Sequence, residues 1–385
     1  MPWRETSPVD ERMRFMARLR DGERMGDLCA EFGISRKTGQ KLKARFEQLG
    51  VEGLKDQSRA PRQIPHRTTR EIQELILETK RAHMSWGPKK LRAWLQTKNP
   101  GVELPSSVTF GYWLAKAGLV ERRGKRRRAP ISEGKLKTPA APNQVWATDF
   151  KGQFRLGSGN YCYPLTITDV YSRYLIAVVA LESTKVGPAV EVFSEVFREF
   201  GVPEVIRSDN GCPFASAGLY GLSRLSAYWL RLGARPERIE PGHPEQNGQH
   251  ERMHLTLKQE TTRPAAKNLL QQQERFDDFR EQFNSERPHE ALGPRPPASV
   301  YRPSPRKAPT ELAALDYPLH DLQRTVARHG VIALNGGYYF LSHALAGEQV
   351  GLREEDPGRW SVSFMDLRLG CVDESTRKFT REASA

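Results

Sequence analysis

GHPEQNGQHERMHLTLKQE, residues Gly242 to Glu260, is a Gly- and Pro-kinked loop that runs into a helix. The helix starts near Gly248 and carries Glu251, Arg252, Lys258 and Gln259. Glu251 and Lys258 stand seven apart, so they share one face two turns apart. A carboxylate and an ammonium so placed can hold a metal ion and a phosphate. Alone, they more often make an ordinary surface charge pair. Two upstream stretches weigh against that ordinary reading. VWATDF holds Asp149 and EVIRSDNGCPF holds Asp209, each at the end of a short apolar run that reads as a buried strand. Three carboxylates delivered by two strand ends and one helix suit a two-metal site, in which two hard cations about 4 Å apart clamp the attacking and leaving oxygens of a phosphodiester. Mg²⁺ prefers oxygen ligands and keeps water positions open, so a few Asp and Glu side chains suffice.

Taken together, WATDF, TDVYSRY, RSDNG and HPEQNGQHER followed by LK resemble, in their order, the DDE catalytic core shared by retroviral integrases and bacterial insertion-sequence transposases. The resemblance implies an RNase H-like core in which Asp149 bridges two Mg²⁺ ions and Asp209 and Glu251 each complete one, with Mn²⁺ able to substitute. It implies that Lys258 contacts a phosphate near the cleaved bond, and that Asp169 is not a ligand, its turn being finished by Ser172 and Arg173. Two glutamates compete for the third acid. Glu245 follows Asp209 after 35 intervening residues and Glu251 after 41. The shorter spacing is the one associated with the family name. The local pattern selects the other, because the family's acid follows a Pro-x-x-x-Gly loop by two residues and opens a helix ending in Leu-Lys. Glu251 meets that description, after Pro244, Gly248, Gln249 and His250, whereas Glu245 falls inside the loop.

The chain has 385 residues, too many for one ordinary core. With 38% hydrophobic residues it can fold, and no run approaches the length of a membrane span. MPWRETSPVD has no apolar signal segment, and Cys29, Cys162, Cys212 and Cys371 show no metal or disulfide spacing, so reduced thiols in the bacterial cytoplasm are expected. The net charge is +14 and unevenly spread: residues 1–140 hold 31 Lys and Arg against 16 Asp and Glu, a net of +15, and the remainder is −1. A polyanion such as DNA would meet the N-terminal third first and be handed to a nearly neutral core.

Residues 1–60 read as a first helix-turn-helix domain. DERMRFMARLRDG turns Met13, Met16, Ala17 and Leu19 inward, RMGDLCAEFG ends at Gly33, and Ser35 caps a third helix. That helix presents Arg36, Lys37, Thr38, Gln40 and Lys41 to a major groove, and Gly39 suggests close approach to a backbone. GVEGLKDQSRAPRQIPHR reads as a basic connection. Residues 61–120 resemble a second helix-turn-helix domain, with Trp86, Leu91, Trp94 and Leu95 as core. Residues 121–141 form a basic linker whose Arg122, Arg123, Lys125, Arg126, Arg127 and Arg128 track DNA. Residues 142–305 are the α/β RNase H-like (integrase) core: three strands in an antiparallel meander, a helix, the strand to Asp209, a helix over LYGLSRLSAYWLRLG, a strand, and the helix of Glu251. NSERPHEALGPRPP follows, its Arg287 and His289 expected to tie the last helix to the sheet. Residues 306–385 read as a small all-β barrel with Tyr338, Tyr339 and Trp360 inside.

The expected activity is DNA transposition: binding of terminal inverted repeats, metal-dependent strand cleavage, and joining to target DNA, as a dimer or higher multimer on double-stranded DNA. A catalytically decayed transposase acting as a DNA-binding regulator is the alternative. A nuclease that cuts without joining fits less well with two helix-turn-helix units and a basic arm.

Overall fold

The computed structural model describes residues 7–57, 68–120, 136–216, 218–240 and 243–382, without the side chains of Pro244 and Glu245. The basic linker positions from Arg122 to Arg128 lie outside the described residues. The chain divides into two compact units, Met1–Arg67 and Thr68–Ala385.

The first unit holds α1 (Pro8–Arg20), α2 (Met25–Glu31) and α3 (Arg36–Leu49). Ser35 caps α3 by accepting the Thr38 amide at 3.1 Å, which satisfies one of the free donors at a helix start. The core is Phe15, Met16, Leu28, Cys29, Leu42 and Leu54. Ala17 is exposed, and Phe15 takes the inward place expected of it. Gly39 is buried, and a Cβ there would stand 2.7 Å from Cys29 Sγ and 2.8 Å from Met25 Sδ. Its missing side chain therefore lets α3 pack on α2; it does not face a nucleic acid. Residues 50–54 are a short 3₁₀ turn that buries Leu54, so the connection to the next unit begins later than composition suggests.

The second unit opens with α4 (Arg70–Ala82), α5 (Pro88–Lys98) and α6 (Ser107–Lys116) around Ile76, Trp86, Leu91, Leu95, Phe110 and Leu114. A sheet follows from β1 (Val145–Phe150), β2 (Phe154–Arg155), β3 (Tyr161–Asp169) and β4 (Leu175–Leu181). It is completed by β5 (Val205–Ser208) and β6 (Arg235–Arg238). β3 pairs antiparallel with β1, β2 and β4; β5 pairs parallel with β1 and with β6. The order β4-β3-β1-β5-β6, a meander joined to two parallel strands, is the RNase H-like arrangement. α7 (Val186–Phe200) and α8 (Arg224–Arg231) cover one face through Trp146, Ile167, Phe193, Phe197, Ile206 and Trp229. α9 (Gly248–Thr261) and α10 (Leu269–Ser285) cover the other through Cys162, Val178, Met253, Leu257, Phe276 and Phe279. Strand alternation decides which residues meet α9. Trp146 faces α7, so Asp149, three residues on, faces α9.

Two expectations for the core need correction. The helix read over Leu219–Gly233 is a 3₁₀ turn followed by α8, which starts only after Ser223 because that residue caps it through Ser226. Asn284, not Arg287 or His289, ties α10 to the sheet: it accepts the Leu175 amide at 2.8 Å and donates to the Leu175 carbonyl at 2.9 Å. Arg287 instead bonds Glu260 of α9 at 2.9 Å.

The C-terminal strands are β7 (Leu322–Thr325), β8 (Val331–Leu334), β9 (Gly337–Phe340), β10 (Gln349–Asp356), β11 (Arg359–Phe364), β12 (Leu367–Asp373) and β13 (Lys378–Arg381). They form an open five-stranded sheet, β13-β12-β11-β10-β7, and a separate β8-β9 hairpin. The described strands therefore show sheets and not a closed ring. Tyr339 and Trp360 are buried, but Tyr338 is 79% exposed, because adjacent residues of a strand point to opposite faces. The apolar side of this sheet shares a cluster with Leu219 and Ala227, so α8 is buried on two sides.

Candidate active site

β1 and β5 lie in register, Ala147 opposite Arg207. Continued by two residues, that register sets Asp149 and Asp209 side by side on the face covered by α9. Gly211 lets the chain turn sharply there: its amide donates to Asp209 Oδ1 at 3.0 Å, and a Cβ on it would stand 3.0 Å from Oδ2. Glu251 lies in the first turn of α9 and is exposed. Asp149 is mostly enclosed, its side chain 25% exposed. Burial pushes its carboxyl up to about 7, and the negative charges of Asp209 and then Glu251 add to the rise against the opposing Lys151. Asp149 thus feels both other acids, Glu251 across the α9 interface. Lys258 is exposed on α9. Burial, and then Lys258, hold the Lys151 ammonium below its usual range, so two cations flank Asp149.

The Thr166 hydroxyl decides what else meets Asp149. Thr166 Oγ1 donates to the Asp149 carbonyl at 3.0 Å and stands 2.7 Å from Nε2 of both His250 and His254. A hydroxyl carries one proton. With that proton on the carbonyl, both imidazoles donate from Nε2 and both keep a lone pair on Nδ1. Burial agrees, pushing His250 to about 3 and His254 to about 2, so both are neutral. His250 directs its lone pair at the Thr168 hydroxyl, 2.8 Å away. His254 directs its lone pair at Asp149 Oδ2, 3.7 Å away. Two acceptors face each other there, and only a proton or a cation between them is attracted to both.

Oxygen donors that repel one another in a water-poor place, beside a neutral imidazole, fit a hard divalent ion in charge and chemistry. Among the described residues no three His, Cys, Asp or Glu side chains converge on one point, so the set stands open. Asp169 is not part of it. Fully buried, it spends its carboxylate on the Asn143 amide and on the amide and hydroxyl of Ser172. In the first unit Arg36, Lys37, Thr38, Gln40 and Lys41 are all exposed at the start of α3. No local sequence signal marks Lys151, Thr166, His250 or His254 as part of the site. His250 and His254 stand four apart on one helix face, which is also what core histidines do.

Residues 139–244 and 232–297 match two models of the integrase core domain. Its central part, residues 139–297, is thus similar to integrase core domains. Ahead of that core, residues 11–62 match a helix-turn-helix domain and residues 38–114 a homeodomain-like domain. Among proteins similar to the chain are two of bacterial insertion elements. One, from IS476 of Xanthomonas euvesicatoria, is 24% identical over 61% of this chain and 66% of its own length. Another, from IS407 of Burkholderia multivorans, is 28% identical over 46% of this chain and 62% of its own length. The Pol polyprotein of feline endogenous virus ECE1 is 28% identical over 46% of this chain and 17% of its own length. The chain therefore spans less than two thirds of each of these relatives. The catalytic core domain of HTLV-2 integrase, solved in complex with magnesium, is 14% identical with a TM-score of 0.35, covering 43% of this chain and 100% of that one. A simian T-cell lymphotropic virus intasome gives 14% and 0.38, over 80% and 99%. The likeness to integrase cores rests on the strand order and on the matching residues, not on these partial overlaps.

Proposed function

We propose that the chain is a DNA transposase of insertion-sequence type. Its helix-turn-helix regions bind the element's terminal inverted repeats, α3 entering a major groove with Arg36, Lys37, Thr38, Gln40 and Lys41. Its integrase core cuts and joins strands. The observation that carries the reading is the electrostatic meeting of Asp149, Asp209 and Glu251: each comes from a different element, and Asp149 is raised by both of the others. Asp149, Asp209 and Glu251 would hold two Mg²⁺ ions, or Mn²⁺ in their place. When bound, such ions stabilise charge on the attacking and leaving oxygens of a phosphodiester.

The chain's own groups do the positioning. α9 is held to β3 by His250 and His254, so Glu251 is presented from a fixed helix start. Lys258 and Lys151 offer positive charge to the phosphate at the cleaved bond. In the first step water adds to phosphorus and the 3′-oxygen leaves with a proton. In the second, that 3′-hydroxyl attacks a target phosphodiester and displaces the target's own 3′-oxygen. No covalent link to the protein is needed. Joining two ends in concert calls for a dimer or larger assembly on DNA.

A strand-transfer assay with labelled repeat ends tests the proposal. Cleavage followed by joining supports it. Cleavage without joining makes the chain a nuclease, and binding alone makes it a DNA-binding regulator; either result overturns the proposal.

A further inference from the structure

Gln249, Arg252 and Thr256 recur along α9 at three and four residues. They form a second face, about 140° round the helix from Glu251 and Lys258. That face borders a separate cleft of about 490 Å³, closed by α5 through Lys90, by the turn after β3 through Arg173, and by the segment after α10 through Arg287 and His289. Five cationic side chains line it, Lys90, Arg173, Arg207, Arg252 and Arg287, against two carboxylates, Asp169 and Glu290. Neither acid makes an ion pair with any of the five among the described residues, although Glu290 acts on Lys90 and Asp169 on Arg173 from further away. Asp169 is consumed by Asn143 and Ser172, and Glu290 is paired with Lys89 at 2.7 Å. Arg207 and Arg287 find their partners beyond the lining, in Glu237 at 2.7 Å and Glu260 at 2.9 Å. Lys90, Arg173 and Arg252 make no ion pair among the described residues.

The cleft shows the strain of this imbalance. Burial and Arg287 lower Lys90 to about 8, and burial and Arg252 hold Arg173 below its usual range. His289 is lowered to about 3, mainly by burial and then by Lys90, Arg287 and Arg173. Its Nε2 is buried without a hydrogen-bond partner. A purely structural cluster of this kind would interleave acids with its cations, since unpaired buried charge is costly. A surplus of donors around a part-open cleft, with Lys90 and Arg173 half-buried and Arg252 exposed at its edge, is the lining an anion requires.

We propose that this cleft seats one phosphate of a DNA backbone, with Lys90, Arg173 and Arg252 as its cationic ligands and His289 Nε2 as a further donor. The inference rests on the reading that the chain acts on DNA. Lys90 comes from the helices ahead of the core, whereas Arg252 neighbours Glu251 in sequence. One phosphate held by both fixes where a strand crosses α9 relative to the carboxylates. It is a positioning site, distinct from the carboxylate set.

The test uses the full chain and a short fluorescent duplex, with affinity followed by anisotropy from roughly 50 to 200 mM salt. Lys90→Gln and Arg252→Gln should each lower the log–log salt slope, and the double variant should lower it by about 0.9, the value for one neutralised phosphate. Lys90→Arg should keep it, and all of these variants should melt like the parent. A parallel arm asks whether inorganic phosphate protects Lys90 from trinitrophenylation. Protection by phosphate with unchanged slopes overturns the backbone assignment in favour of a free-anion site. Unchanged slopes with no protection overturn the site altogether. If Lys90→Gln flattens the slope but the chain neither cuts nor joins DNA, the phosphate seat stands and the proposed activity falls. If the chain joins DNA while both variants keep the parental slope, only the seat falls.

Discussion

Asp149 binds its proton more tightly in the folded chain than in the unfolded one, with a folded value of about 7 against an ordinary 3.8. Its contribution to stability is therefore complete below pH 3.8 and is lost as pH rises through 7. At about 1.4 kcal/mol per pH unit, the loss reaches about 4 kcal/mol by pH 8. Melting in a chelator should show the parent losing stability between about pH 4 and 7, and Asp149→Asn should flatten that part of the profile. The same variant should keep DNA binding by mobility shift and lose cleavage; normal cleavage would sink the assignment of Asp149. A second prediction separates the two glutamates. Glu251→Gln should cut cleavage and joining by orders of magnitude with an unchanged circular dichroism spectrum, whereas Glu245→Gln should cost far less. Glu251 stands on the first turn of α9, where a helix start holds its carboxylate in a fixed place. The reverse pattern would show that the 35-residue spacing was the right guide. The proposed carboxylates stand out in the sequence because each sits in a recognisable local motif. Lys151 and His254 do not, because their meaning lies in what they face: Lys258 and Asp149 across two elements.

Among the elements, α9 owes its position to polar bonds as much as to Met253 and Leu257, since the Thr166 hydroxyl accepts from two histidines of the helix and donates to β1. Thr166→Val keeps shape and removes all three bonds. It leaves two buried imidazole donors unpaired at about 1–3 kcal/mol each. Thermal melting should fall by several degrees, at roughly 2–4 °C per kcal/mol for a domain of this size, and cleavage should fall with it. Thr166→Ser should recover both; a Thr166→Val protein that melts normally would show that the network holds nothing. The helices and long strands here were readable from their periods, and the meander from its short turns. The start of α8 was not, since Leu219–Gly221 carries helical composition while Tyr220 adopts a positive φ of 50° that breaks the run. Nor was the inward place of Gly39, which depends on Cys29 and Met25 of a different helix.

For the whole molecule, charge and fold are divided differently. The net of +15 lies within residues 1–140, while the carboxylates lie in a part of the chain that is almost neutral. Replacing Arg36, Lys37 and Lys41 together by Gln should lower the salt slope of DNA binding by about 0.9 for each phosphate no longer neutralised, with Mg²⁺-dependent cleavage of pre-bound DNA retained. An unchanged slope would remove α3 from the interface. The compact units, by contrast, divide at Arg67, so charge alone does not mark where the chain breaks. α8 carries the remaining consequence. It gives Leu225 and Trp229 to the core of the integrase sheet and Ala227 to the core of the C-terminal strands. The second of these cores takes in Val372 of β12 and Phe379 of β13, so it is finished only when the last strand has been made. From Glu251 to Arg381 the ribosome has about 130 further residues to add, which at roughly 5–20 residues per second takes on the order of 10 s. Every proposed catalytic acid is already synthesised by then, yet the helix that backs the sheet beside Asp209 still has one side uncovered. A nascent chain thus passes through an interval in which it holds all its acids but not the finished support behind them.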